Sequence, residues 1–182
     1  VDPNGLTTTL GYDQRQRLTS RNLGGETTTY TYDNAGQLIR VTLPDASYLQ
    51  YTYDAAHRLT QIADHLGNRI TYTPDLAGNH TQEQVFDPLN QLAQTRSRVY
   101  SNVNRMIQEI GAAGQTTTYA YNNHAQVLSI DGPLAGTVDF TLNTYDPLDR
   151  LTRVTDPNAG QVNYGYNRLD QLTSVTDPRG LV

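Results

Sequence analysis

Residues 30–38 read Tyr30-Thr31-Tyr32-Asp33-Asn34-Ala35-Gly36-Gln37-Leu38, and weakened copies of this stretch recur along the chain. Two tyrosines two apart share one face of a strand, because side chains alternate along it, and Thr29 and Thr31 suit the other face. Asp33 can accept backbone N–H bonds from the residues that follow it. Gly36 can take positive φ without a Cβ clash, which predicts a type I turn closed by a bulge. With Asn34, Ala35 and Gly36 as the loop, Asp33 faces Gln37 and Tyr32 faces Leu38, an aromatic–aliphatic pair on one face of a ladder. The stretch is thus read as a β-hairpin turn with the ends of both its strands.

With Tyr32 as the anchor, copies fall at Tyr12, Tyr32, Tyr53, Pro74, Phe86, Tyr100, Tyr121, Tyr145 and Tyr166, mostly at steps of 20 to 24 residues. The residue after the anchor is Asp13, Asp33, Asp54, Asp75, Asp87, Ser101, Asn122, Asp146 or Asn167, and each can cap a turn. Six after the anchor stands Leu18, Leu38, Leu59, His80, Leu92, Met106, Val127, Leu151 or Leu172; only His80 breaks the apolar rule. A second tyrosine precedes the anchor at Tyr30, Tyr51, Tyr119 and Tyr164. Periods of this length mean stacked units. Leu43-Pro44-Asp45-Ala46-Ser47 and Asp64-His65-Leu66-Gly67-Asn68 supply a second turn per period. The expected fold is therefore all-β: about nine antiparallel hairpins in a single array over residues 1–182, forming a ribbon that sheet twist curves. The first unit carries Gln16 where Gly36 stands, so its turn must tolerate a side chain there.

The middle is less regular. Steps from Pro74 to Phe86 and on to Tyr100 shrink to 12 and 14 residues. Proline cannot donate to a ladder, which assigns Pro74 to an edge or a bulge. Between Arg96 and Gly114, Val99, Val103, Met106, Ile107 and Ile110 fit helical spacing, so a short helix stands beside the strand reading that the repeat register favours. Asp131 to Asp139 reads as a longer insert between hairpins.

Composition narrows the classes. Hydrophobic residues make up 36% of the 182, with thirteen tyrosines, two phenylalanines and no tryptophan. Burial by amphipathic rings implies a core that is a layer rather than a ball. Net charge is −5, and all thirteen basic residues are arginines, with no basic run to neutralise several phosphates, which argues against nucleic acid. Arg17, Arg58, Arg105 and Arg150 stand beside the turns, where solvation is the expectation and stacking on a tyrosine ring the alternative. With no cysteine there is neither a disulfide framework nor a thiolate metal site. No apolar stretch is long enough to span a membrane. Val1-Asp2-Pro3-Asn4-Gly5 and Thr176-Asp177-Pro178-Arg179-Gly180 both read as the phrase between hairpins, so the chain reads as an internal fragment of something longer.

The recurring Tyr-x-Tyr-Asp-x-x-Gly-x-Leu, followed by Val-Thr-Asp-Pro-x-x-Gly, resembles the YD repeat of bacterial Rhs proteins, Tc insecticidal toxin components and animal teneurins. The match to consensus is closest at Tyr30–Leu38, Tyr51–Leu59 and Tyr164–Leu172. The resemblance implies a ribbon of hairpins spiralling into a hollow shell around a C-terminal toxin, in a bacterial protein that is exported or held at the cell surface. It implies as partners the remainder of the parent shell and the enclosed toxin. Self-processing family members cut at a motif near the end of the shell; nothing after Leu172 resembles it, and no catalytic residue is carried over. A strip too short to close the shell exposes strand edges through which it can self-associate.

The residues offer little chemistry of their own. His57, His65, His80 and His124 fall near turns, and no pair has the helical spacing that would join two on one metal, so neither metal nor cofactor is expected. No serine sits in a Gly-x-Ser-x-Gly elbow, and Gly24-Gly25 lacks the Lys and Ser of a phosphate loop. The aspartates recur once per hairpin, as turn caps must, whereas paired-carboxylate catalysis needs two facing one substrate. Asn79-His80-Thr81 matches a glycosylation acceptor, read as chance in a bacterial chain. The tyrosine rows leave two readings open. Either the rings pack against Leu38, Leu59 and neighbouring hairpins, or they form an open face that stacks on sugars.

Overall fold

The computed structural model describes residues 5–177 and 179; the expected inter-hairpin phrases at the two ends fall partly outside them. Among the described residues there are sixteen β-strands and no helix. The strands of the first unit, Val1–Thr95, are β1 (Thr8–Tyr12), β2 (Leu18–Leu23), β3 (Glu26–Tyr32), β4 (Leu38–Thr42), β5 (Tyr48–Tyr53), β6 (Leu59–Asp64), β7 (Arg69–Pro74) and β8 (His80–Phe86). β9 (Leu92–Tyr100) leads into the second unit, Arg96–Val182. There follow β10 (Met106–Ile110), β11 (Thr116–Tyr121), β12 (Val127–Asp131), β13 (Phe140–Tyr145), β14 (Leu151–Thr155), β15 (Gln161–Tyr166) and β16 (Leu172–Thr176). Within each unit every strand pairs antiparallel with the next in sequence, so the fold is an all-β meander of hairpins.

Turn chemistry sets this register. In the β3–β4 hairpin Asp33 donates its N–H to Gln37 O at 3.0 Å, and Gly36, at φ 92°, donates to Asp33 O at 3.1 Å. Tyr32 stands opposite Leu38, and the ladder shifts by one residue between Thr31 and Tyr32, the expected bulge. The same pair of backbone bonds closes the turns that begin at Asp13, Asp54, Asp75, Ser101, Asn122, Asp146 and Asn167. At the position of Gly36 the chain places Gln16, His57, Asn104, Ala125, Asp149 and Asp170, all between φ 58° and 68°. The turn thus forces a left-handed backbone on residues with a Cβ, at a local cost that the ladder on either side must overcome.

One face of the first unit is apolar. Tyr30, Val41 and Leu49 stand opposite one another across three strands, and Tyr51, Ile62, Ile70 and Val85 across four. The other face is polar, with Thr31, Arg40 and Gln50 in one row. In the second unit Tyr119 faces Ile130, and Val154 faces Val162. No side chain among the described residues is fully buried, since a single layer leaves both faces open.

Three sequence readings resolve here. Residues 96–114 form the end of β9, a turn, β10 and the start of the next turn, not a helix: β9 and β10 pair with Met106 opposite Tyr100, because the Ser101 turn holds the repeat register that the helical spacing only mimics. Pro74 ends β7 at a bulge opposite His80, where its missing N–H breaks no ladder bond. The hairpin at Phe86 is not a step of the period. Its turn, from Asp87 to Gln91, follows β8 at the end opposite to the Asp75 turn that precedes it, so Pro74 to Tyr100 is one long period. The two kinds of turn use the same residues, which is why the spacing counted one unit too many.

Candidate functional site

The chemistry of the chain is concentrated on the rim of Tyr-Asp turns. Each turn is held by its first side chain. Asp13 Oδ1 accepts from the N–H groups of Arg15 and Arg17 at 2.8 and 2.9 Å, and Asp54 Oδ1 from Ala56 and Arg58, both at 2.9 Å. Asp146 repeats this with Leu148 and Arg150, and Asn122 with His124 and Gln126. These bonds favour the ionised carboxylate and hold it below its ordinary range. For Asp13 and Asp146 the backbone bond from Arg17 or Arg150 is the largest cause; for Asp54 it is the side-chain bond from Arg58, and for Asp75 that from Asn79.

The anchor tyrosines lock one hairpin to the one before it. Tyr32 donates its hydroxyl to Leu18 O at 2.9 Å, and Tyr53 donates to Leu38 O at 2.9 Å. In the second unit Tyr121 reaches Met106 O at 2.7 Å, Tyr145 reaches Val127 O and Tyr166 reaches Leu151 O, the last two at 2.9 Å. Each acceptor belongs to the apolar residue six after the previous anchor, beside the bulge, where the ladder leaves a carbonyl unmatched. The ring spans the gap and pairs its phenol with that carbonyl. All five rings are half-buried. Burial is the first cause that raises the Tyr53 hydroxyl above its ordinary value, and the same holds for Tyr119.

The turn arginines form a second lock, so the expectation of solvated guanidinium groups is corrected. Arg17 binds its own Asp13 through Nε and Nη2, both at 2.8 Å. It also lies 4.5 Å above the Tyr32 ring and donates to Asp33 O of the next turn at 3.4 Å. Arg150 repeats this with Asp146, the Tyr166 ring at 4.9 Å and Asn167 O at 3.1 Å. Arg105 does so with the Tyr121 ring and Asn122 O, and Arg58 reaches Asp75 O. The planar fork explains the choice of arginine: one group meets a carboxylate edge-on, a ring face-on and a carbonyl at its far end. Where glutamine takes this position it bridges to another carbonyl of the next turn, from Gln37 Nε2 to His57 O at 3.2 Å and from Gln126 Nε2 to Asp149 O at 2.6 Å. His80, the exception to the apolar rule, stacks on Tyr72 with centroids 4.7 Å apart.

Between successive turns lie shallow open grooves, one of about 390 Å³ lined by Asp13, Arg15, Arg17, Tyr32 and Asp33. Its polar groups are engaged with one another, and Arg15 closes one side on Asn34 O at 3.1 Å. Among the described residues no three His, Cys, Asp or Glu side chains converge as a metal site would require. No helix is long and apolar enough to cross a membrane. Tyr30, Tyr51, Tyr119 and Tyr164 are half-buried on the sheet face, while Tyr12 is exposed. Gly36 sits at the αL corner of its turn, and Leu59, Leu151 and Leu172 each stand opposite an anchor tyrosine.

A layer of hairpins, several of them riveted to the one before by an anchor phenol and by a guanidinium or amide, defines a repeat scaffold. The family model described as RHS Repeat matches residues 22–48, 33–64, 53–85 and 145–182, and the chain belongs to that family. Among solved structures it is similar to the Photorhabdus luminescens Tc holotoxin pore, with TM-score 0.76 and 18% identity over 94% of this chain and 10% of that one. The TcdB2-TccC3-Cdc42 structure matches with TM-score 0.69 and 16% identity, over 94% of this chain and 12% of that one. TcdB2-TccC3 matches with TM-score 0.62 and 13% identity, over 96% and 12%. The chain thus spans about a tenth of the length of these structures, and shares their fold. No curated protein matches the sequence. The role that fold and family give this chain is that of a structural repeat.

Proposed function

We propose that the chain is a stretch of wall, one continuous array, in a bacterial exported toxin protein whose RHS repeats enclose a toxin polypeptide. In this reading the wall has no catalysis of its own. It acts by exclusion, keeping the cargo from proteases and solvent until delivery, and its partners are the flanking repeats and the cargo. The observation that carries the reading is the rim. The anchor phenols and turn arginines are spent on joining hairpin to hairpin, which leaves a seam and not a reaction site. Likeness to Tc toxin structures supports the same reading. Against the sugar-stacking alternative, the rings of Tyr30, Tyr51, Tyr119 and Tyr164 are half-buried among their neighbours on the sheet face, which supports packing.

Protease protection tests the proposal. In the parent protein carrying this segment, the enclosed polypeptide should resist digestion under conditions that cleave it once released by denaturant. Paired replacements of Arg17 and Arg150 by alanine should open the seam and shorten that resistance. Cargo digested as fast inside the intact parent as outside it would end the proposal.

A further inference from the structure

The polar face of the first unit carries charge of one sign. The carboxylates within β1 to β8 are Glu26, Asp64 and Glu83, and all three lie on the apolar face, Asp64 opposite Leu49, Glu83 opposite Tyr72, and Glu26 four residues before Tyr30. Arg40 and Arg69 lie on the other face and in one row, which runs Thr31, Arg40, Gln50, Ala63, Arg69 and Phe86 across six strands. The chain as a whole has a net charge of −5, so this row runs against its surroundings. Both guanidinium groups are fixed by aromatic rings, and neither pairs with a carboxylate among the described residues. Arg40 lies 3.6 Å above the Tyr48 ring, and its buried Nε meets no acceptor there. Arg69 lies 4.2 Å above the Phe86 ring and donates to Asn90 Oδ1, a neutral amide. The turn arginines Arg17, Arg58 and Arg150 differ, since each binds the aspartate of its own turn. A guanidinium held over a ring keeps its orientation while its outer edge stays able to bind a carboxylate through two parallel bonds.

We propose that this row docks an acidic polypeptide segment in extended conformation, which crosses β4 to β7 with one carboxylate on Arg40 and a second on Arg69. Strand spacing fixes the separation of the two. Neighbouring strands lie about 4.8 Å apart, so the three intervals from β4 to β7 amount to about 14 Å. An extended chain rises about 3.4 Å per residue and alternates its side chains, so acidic residues four apart span about 14 Å and point the same way. Acidic residues three apart point to opposite faces and cannot reach both arginines. Between the two charges the exposed Gln50 offers an amide to the backbone of the segment, and the small Ala63 leaves it room to lie flat. The row sits on a sheet face, so strands added at either edge of the sheet do not cover it.

Titration of the isotopically labelled chain with the end-blocked peptide Glu-Thr-Thr-Thr-Glu, followed by backbone amide shifts at low salt, tests the proposal. Saturable shifts should appear at Arg40, Gln50, Ala63 and Arg69. The peptides Gln-Thr-Thr-Thr-Gln and Glu-Thr-Thr-Glu should bind at least about fivefold more weakly, because each forfeits a charge-assisted contact. Arg40→Gln and Arg69→Gln should each weaken binding about threefold to tenfold, the effect of one such contact at a partly exposed site. Arg21→Gln, on the opposite face, should leave binding unchanged. Circular dichroism checks that each variant is folded, and the three peptides compared on the unmodified chain decide the matter should a variant fail to fold. Absence of saturable shifts, equal binding of the three peptides, or binding unchanged in folded Arg40→Gln and Arg69→Gln would overturn the proposal.

Discussion

Removing a single anchor hydroxyl measures the seam directly. In Tyr53→Phe the ring stays opposite Leu59 and only the bond from the hydroxyl to Leu38 O, 2.9 Å long, is lost. A net intramolecular hydrogen bond contributes about 0.5–1.5 kcal/mol. Because Leu38 is half-buried and water can reach its carbonyl in part, the expected loss is near the middle of that range, about 1 kcal/mol. Tyr32→Phe, Tyr121→Phe and Tyr166→Phe should cost the same, since each phenol meets its carbonyl at 2.7 to 2.9 Å. Tyr145→Phe should cost least of the five, because Val127 O also accepts from Asn143 Nδ2 at 2.9 Å and is not left empty. Tyr12→Phe, whose hydroxyl has no acceptor among the described residues, should cost nothing. Repeat arrays unfold in coupled but separable units, so amide hydrogen exchange around each acceptor is the assay, with urea unfolding as the overall check. Equal effects at Tyr12 and Tyr53, or none at any anchor, would refute the seam.

Acid should loosen the turns in a defined order. Asp13, Asp54, Asp75 and Asp146 have folded-state values below the ordinary 3.8, so the stability they lend is complete above that value and disappears as pH falls through the lowered ones. Urea midpoints should be flat from pH 7 to 5 and drop below pH 4, while exchange at the Asn122 and Asn167 turns, which do not titrate, stays level. Ala46→Gly and Ala125→Gly should stabilise by about 0.5–1 kcal/mol, because relief of a left-handed Cβ outweighs added chain entropy; Gly36→Ala should cost about 1 kcal/mol. Its Cβ would meet nothing nearer than Arg17 Nη1 at 3.6 Å, so φ alone sets that cost. Leu38→Ala should cost less than the roughly 2–5 kcal/mol of a buried leucine, since Leu38 keeps partial exposure; thermal unfolding decides.

Hairpins were legible in the sequence because their causes are local. Asp33 and Gly36 are close enough in the chain to specify one turn, and alternation from Tyr30 to Tyr32 specifies the strand that enters it. Links between hairpins were not. Tyr32 and Leu18 are fourteen residues apart and meet only once β2 and β3 have paired, and no pattern in either stretch names a carbonyl as the acceptor. Arg17 reads as a surface residue until its reach past Tyr32 to Asp33 is seen. A signal was nevertheless present: arginine or a side-chain amide falls five after most anchors, and a guanidinium that recurs in register with a ring invites pairing with it. Phe86 misled because the turn that follows it has the same chemistry as those on the other rim, and the end of the sheet where a turn lies depends on how many strands precede it.

Cryo-electron microscopy of the parent protein tests the central claim most directly. The account predicts these sixteen strands as one stretch of a closed wall, with Tyr12 against the strand before it and polypeptide density on the enclosed side. A ribbon with both faces open to solvent and nothing enclosed would contradict it.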